Sequence, residues 1–179
     1  EGNLYGSSTD WFSEITRDMP LSNRHNLAIW GGNENFSHRT VLAYDQNEGL
    51  LRNNFSDRVL LKTNIKQKAL NNKLDLDGNL SYSARNYSPA NYDLFYQAFI
   101  QNPTEPVYNP ANTTYGGYSS ISALDYYNPV AMLNERVKRG KTNEVGANMR
   151  ATLTLTKDLK WVNFLSSEQE MNEETSYKK

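Results

Sequence analysis

Asp75 and Asp77 stand two residues apart, a spacing that puts two carboxylates on the same side of a β-strand. Carboxylate pairs in a cleft perform general acid–base chemistry, notably on glycosidic bonds. Here Lys66 and Lys68 stand across a short turn from them, so ion pairs on a wet strand face account for both acids. His25 and His38 are the only two histidines. They fall in separate segments, outside any HxH or HExxH pattern, so no metal ligand set is assigned. There is no cysteine, which excludes a disulfide framework, a thiolate metal site and a thiol nucleophile. Gly31-Gly32 lacks the continuation of a phosphate loop and is a turn. Asn112-Thr113-Thr114 fits a glycosylation sequon with nothing beside it to give it a role. No catalytic residue and no cofactor emerges, and no enzyme is expected.

The remaining candidates are tyrosines: Tyr108, Tyr115, Tyr118, Tyr126 and Tyr127, in a stretch rich in Pro, Asn and Gly. Aromatic faces stack on sugar rings or peptide side chains, and phenol hydroxyls add hydrogen bonds. Packing of the loop against neighbouring structure explains the same residues. Both readings stand at this point.

The chain has 179 residues and a formal net charge of −1, so it carries no strong field for nucleic acid or anionic lipid. Its mean hydropathy is polar, −0.77, and no run of about 18 apolar residues offers a membrane helix. A polar average is compatible with a membrane barrel, whose strands alternate lipid-facing and lumen-facing residues. Twelve tyrosines and three tryptophans suit membrane interfaces, sugar-binding surfaces and soluble β proteins alike.

The elements that position these residues are strands. Val59, Leu61, Thr63, Ile65 and Ala69 share one parity, broken only by Gln67, while Lys62, Asn64, Lys66 and Lys68 share the other. Leu74, Leu76, Gly78, Leu80, Tyr82 and Ala84 then alternate with Asp75, Asp77, Asn79, Ser81, Ser83 and Arg85. Period-two alternation marks half-wet strands. Asn71-Asn72 between them tolerates the left-handed conformations of a two-residue hairpin turn. That turn fixes the register: Lys68 opposite Asp75, Lys66 opposite Asp77, Asn64 opposite Asn79 and Leu61 opposite Tyr82. A slip of one residue would oppose apolar and polar residues throughout.

A second hairpin is predicted from strands at 26–30 and 36–46 around the turn at 31–35, with Phe36, Thr40, Leu42 and Tyr44 on one side. A third joins 146–156 to a strand from 160 to about 170 through Lys157-Asp158-Leu159. Met149, Ala151, Leu153 and Leu155 alternate there, but Val162 and Phe164 compete with Trp161 and Leu165 for phase. The polar tail from Glu168 is able to extend that strand. A long connection at about 86–145 holds a helix with Ser88-Pro89 at its start and Tyr92, Phe95, Tyr96 and Phe99 as its packing face. Asn128-Pro129-Val130-Ala131-Met132-Leu133 suggests a short helix or docking segment. Short turns at one end and long connections at the other are the pattern of an outer-membrane barrel.

Several segments resemble the SusC/RagA family of TonB-dependent outer-membrane transporters of Bacteroidetes. They are Thr9-Asp10-Trp11-Phe12-Ser13-Glu14-Ile15, His25-Asn26-Leu27-Ala28-Ile29-Trp30-Gly31-Gly32, Tyr44-Asp45-Gln46-Asn47-Glu48-Gly49-Leu50, Asn102-Pro103-Thr104-Glu105-Pro106-Val107-Tyr108 and Asn128-Pro129-Val130-Ala131. They come in the family's order and cover nearly the whole chain.

The resemblance implies an early part of a large plugged barrel, after its plug domain, in the cell outer membrane. It implies import of oligosaccharides or peptides powered through TonB, with a SusD-like surface lipoprotein as lid and no nucleic-acid partner. No stretch of the chain matches the plug or the TonB-contacting segment.

The expectation is therefore an all-β fold. Residues 1–179 form an antiparallel transmembrane β-barrel segment of about six strands in three hairpins, with a long extracellular loop containing a short helix. Six strands are too few to close a bacterial barrel of at least about eight, so the segment is expected to belong to a larger wall. The rival is a soluble all-β carbohydrate-binding module, which would need a second sheet over the apolar face of the first.

Overall fold

The computed structural model describes residues 6–113, 116–119 and 126–178. A short helix α1 (Trp11–Ile15) leads into four strands, β1 (Ser22–Gly32), β2 (Phe36–Glu48), β3 (Phe55–Ala69) and β4 (Leu74–Ser88). Helices α2 (Asp93–Ile100) and α3 (Pro129–Glu135) follow, then β5 (Arg136–Thr154) and β6 (Lys160–Lys178). The strands form one antiparallel sheet in sequence order, β1 to β6, and among the described residues the two end strands pair on one side only.

The central hairpin has the register its residues dictate. Lys68 opposes Asp75, Lys66 opposes Asp77, Asn64 opposes Asn79 and Leu61 opposes Tyr82. Asn71 and Asn72 have φ of 54° and 63°, the positive values that a type I′ turn requires at both central positions. Leu70 is also left-handed, at φ 51°, so the ladder closes at Ala69–Leu74, one pair earlier than a minimal two-residue loop would allow. Lys66 and Asp77 form an ion pair at 3.8 Å. Lys68 and Asp75 face each other without closing to 4.0 Å.

Three expectations need correction. Gly31 and Gly32 are not turn but the last residues of β1, opposite His38 and Ser37, so the turn is 33–35. The long connection is narrower than 86–145, because β4 runs to Ser88 and β5 begins at Arg136. Residues 136–145 carry charged and polar side chains on both parities, so they lack the alternation that betrays a half-buried strand. Pairing with β4 and β6 on either side makes them strand. Within it, a Cβ on Gly140 would lie 2.3 Å from Cζ of Tyr87. Glycine there leaves room for that ring, which the Arg85 guanidinium covers at 4.7 Å from the ring centroid. The polar tail does extend the last strand, to Lys178.

Helix α2 is also turned the other way. Its buried residues are Leu94, Gln97 and Ala98, while Tyr92, Tyr96 and Phe99 are 75%, 60% and 78% exposed. It starts at Asp93 rather than after Ser88-Pro89, with Asn91 Oδ1 accepting from the Asp93 amide at 3.1 Å.

The buried apolar core lies at the end of the sheet that carries the long connections. Trp11, Ile15, Leu51, Leu94, Ala98, Val107, Val130, Met132 and Leu133 form one cluster there, from all three helices, the β2–β3 connection and, through Val107, the α2–α3 connection. The helices pack on one another and, through α3, on the start of β5. We call this assembly the cap.

Leu51 is 2% exposed in the centre of the cap. Truncation to alanine should cost the cap about 2–5 kcal/mol. Hydrogen exchange checks this: Leu51→Ala should accelerate exchange of α2 amides and leave the β3–β4 ladder protected.

Candidate functional site

The sheet has two chemically distinct faces, and the register sets them. Directly opposed residues share a face. One row crossing the sheet is Leu27, Leu42, Leu61, Tyr82 and Val145. Beside it run Ile29, Thr40, Thr63, Leu80 and Ala147, then His38, Ile65, Gly78, Met149 and Leu165. The band ends near the short turns with Ala69, Leu74, Leu153 and Trp161. At the cap end its last row is His25, Tyr44, Val59, Ala84, Asn143 and Met171, and on β6 the two rows before it end in Gln169 and Ser167. Most of its large side chains are exposed, among them Leu27, Ile29, Leu61, Ile65, Leu80 and Met149. All six strands lie in this one sheet, and no second sheet covers the band among the described residues.

The opposite face is polar. Asp45 is 5% exposed and accepts from Arg24 at 2.5 Å and Arg58 at 2.7 Å, one neighbour strand on either side. Arg85 continues that row beside Arg58 and donates to Ser56 Oγ at 2.9 Å. Asn79 donates to Asn148 at 2.9 Å. On β5 and β6 the same face turns acidic, with Glu144, Glu168, Glu170 and Glu174. Glu174 pairs with Lys138 at 2.8 Å. Val162 and Phe164 also lie on this side, and Arg150 sits 5.8 Å from the Phe164 ring centroid. The competing phases of the last strand are therefore two apolar faces at one level, with Trp161 and Leu165 on the other.

The cap explains its own sequence. Asp10 caps α1 by accepting from the amides of Phe12 and Ser13. The Ser13 hydroxyl, with those amides, holds the Asp10 carboxyl below its usual range. Trp11 Nε1 donates to Asn102 O at 3.0 Å, and the Thr9 hydroxyl donates to Glu105 O at 2.6 Å. Arg17 Nη1 reaches the carbonyls of Gly49, Leu51 and Asn54 at 2.8, 2.5 and 3.1 Å. Arg52 donates to the Ser13 and Thr16 carbonyls, so α1 and the β2–β3 connection are locked in both directions. A Cβ on Gly49 would fall 1.6 Å from Asn54 Oδ1, and Asn54 is held by its donation to Ser88 O at 2.7 Å. Asn128 caps α3 through the Val130 and Ala131 amides and donates to Val107 O and Ser119 O. The segments at 9–15, 44–50, 102–108 and 128–131 thus meet in one place, and their shared residues build the cap.

The loop tyrosines divide. Tyr108 and Tyr118 form an isolated antiparallel bridge with ring centroids 5.2 Å apart, and Asn134 donates to the Tyr118 hydroxyl at 3.0 Å. Tyr126 donates to Ile100 O at 2.6 Å, securing the end of α2. Tyr127 lies under the Arg136 guanidinium, 4.8 Å from its ring centroid, and its backbone is held by Gln97 and Gln101. Tyr115 lies outside the described residues. The exposed aromatic stripe of α2, beside Phe12 stacked on Phe95 at 6.4 Å, is a surface that the sequence reading assigned to packing.

The histidines stay apart, with His25 opposite Tyr44 and His38 opposite Ile65. Among the described residues no group of three or more His, Asp or Glu is arranged to hold a metal ion.

No family model matches the chain. Over 126 residues, 69% of its length, it is 27% identical to the TonB-dependent receptor P26 of Formosa agariphila. The chain spans only 12% of that protein. The likeness supports a relationship to the TonB-dependent receptors.

Burial pushes the Glu105 carboxyl above its usual range, so its contribution to the cap is present below about pH 4.5 and is lost as pH rises through the raised value. Asp10 has the opposite sign: its contribution is lost as pH falls. Glu105→Gln should abolish the loss of cap stability above pH 4.5, and Asp10→Asn the loss in acid. Rates of proteolytic nicking in the 89–128 connection across pH check both.

Proposed function

We propose that this chain supplies wall and extracellular loop to a TonB-dependent outer-membrane importer resembling the SusC/RagA transporters. It is a transport element and no enzyme. The apolar band carries this reading. On β3 it runs from Val59 to Ala69, about 34 Å at about 3.4 Å per residue. Strands tilted by about 40° project that length to about 26 Å, close to the height of about 25 Å of the lipid-facing belt of outer-membrane barrels. The other face carries paired charges and asparagines, suiting a wet lumen. The cap, at the end with long connections, is then extracellular.

A soluble carbohydrate-binding module would have to cover the band with a second sheet. The single sheet and the likeness to a TonB-dependent receptor both favour the wall.

The cargo in this reading is an oligosaccharide or peptide. Tyr108, Tyr118 and Tyr127 are its candidate contacts, and the exposed Tyr92, Tyr96 and Phe99 stripe of α2 is offered to a SusD-like surface lipoprotein. TonB would act through parts of the importer other than these residues.

No cysteine occurs in this chain, so within it each label attaches only at the introduced site. Spin labels on Leu61→Cys and Leu80→Cys should be accessible to oxygen dissolved in lipid, in membranes holding the full-length importer. Labels on Lys62→Cys and Ser81→Cys should instead respond to a water-soluble relaxant. Equal accessibility of the two pairs would rule the wall out.

A further inference from the structure

Beyond the wall itself, we propose that the apolar-side rim of β5 and β6 seats the phosphate of an anionic lipid headgroup. The proposal rests on the wall reading, because it needs the band to lie in lipid. Immediately toward the cap from Met171, the band stops. The next rows on that face are Lys141 opposite Glu173, Arg139 opposite Thr175 and Val137 opposite Tyr177. These six residues line a hollow of about 230 Å³.

Arg139 and Lys141 are two residues apart on one strand, so they project from one face with backbones about 7 Å apart. Both side chains are long enough to converge on a single phosphate. Among the described residues neither has a carboxylate within 4.0 Å. On the other face of the same strand, Lys138 is satisfied by Glu174 at 2.8 Å. On this stretch of β5 Lys138 is thus paired across the sheet while Arg139 and Lys141 are not, and with Glu173 they leave the hollow one net positive charge.

Their height is also that of headgroups. One row is about 7 Å along a strand, or about 5 Å of depth at a tilt of about 40°. Lys141 therefore stands about 5 Å beyond the band, within the layer of roughly 5–8 Å where lipid headgroups lie, and Arg139 about 10 Å beyond it, just above that layer and near enough for its long side chain to reach back to a phosphate there. Thr175 and Tyr177 add hydroxyls for the rest of a headgroup. Guanidinium and ammonium groups are the donors suited to phosphate, and Arg adds a bidentate fork.

The test uses the full-length protein purified in mild detergent, with native mass spectrometry counting bound phosphatidic acid and phosphatidylcholine. Phosphatidic acid should be retained preferentially. Arg139→Gln and Lys141→Gln should each weaken retention about fivefold, and the double variant about 25-fold. Glu173→Gln should strengthen it about fivefold. Lys62→Gln, on the opposite face, should leave it unchanged. Equal loss from Lys62→Gln would reduce the effect to overall charge and overturn the proposal. So would retention unaffected by the rim variants, or displacement of the lipid by inorganic phosphate at millimolar concentration. A protein whose Leu61 and Leu80 labels see no lipid would fail at the wall reading instead. If those labels see lipid and phosphatidic acid is not preferred, only the headgroup site is wrong.

Discussion

A side-chain period of two leaves a strand no intermediate state: paired one residue out of register, it turns its whole apolar set to the other face. Everything in this sheet follows from that. The turn at Leu70–Lys73 opposes Leu61 and Tyr82. Each neighbour strand then adds an apolar residue to the same row, from Leu27 on β1 to Val145 on β5. Backbone pairing satisfies the peptide groups of the inner strands, so the side chains of both faces are free to be chosen by their surroundings. One face carries an exposed apolar band and the other paired charges and amides.

The cap obeys a different rule. It has little regular structure and builds a core from fragments distant in sequence, held by side chains that replace missing backbone partners. Arg17, Arg52 and Asn128 each bind more than one main-chain group. Such residues are structural although polar. Four of the five segments of the resemblance meet at the cap and have a structural role there without appeal to a ligand, while the fifth, 25–32, lies in β1. The α2 stripe of Tyr92, Tyr96 and Phe99 takes no part in this core and stays exposed.

The hairpins were legible because alternation, turn chemistry and cross-strand charge all agreed at Lys66, Asn71-Asn72 and Asp77. The start of β5 was illegible because Arg136 to Val145 is polar on both sides and becomes strand only through its neighbours. Helix α2 failed for a subtler reason. Leu94, Gln97, Ala98 and Gln101 repeat with the same spacing as Tyr92, Phe95, Tyr96 and Phe99, on the other side of the helix. Periodicity is blind to that choice. The less apolar stripe is buried because Gln97 and Gln101 bind the main chain of Tyr127, a contact absent from any local pattern. The candidate tyrosines stand close together in the sequence, but the separate attachments of Tyr108, Tyr118, Tyr126 and Tyr127, to Ile100, to Arg136 and to each other, depend on the folded loop.

The cap also carries a cost in chain entropy. Each short turn joins strands that are adjacent in sequence, so the hairpins can zip from local contacts. Trp11 and Asn102, by contrast, are 91 residues apart, and an open chain pays heavily in entropy to close so large a loop. Once β1 to β4 have paired, the sheet itself has brought the two segments to the same end. Pairing of β1 to β4 therefore removes most of the entropy cost that forming the cap would carry in an open chain.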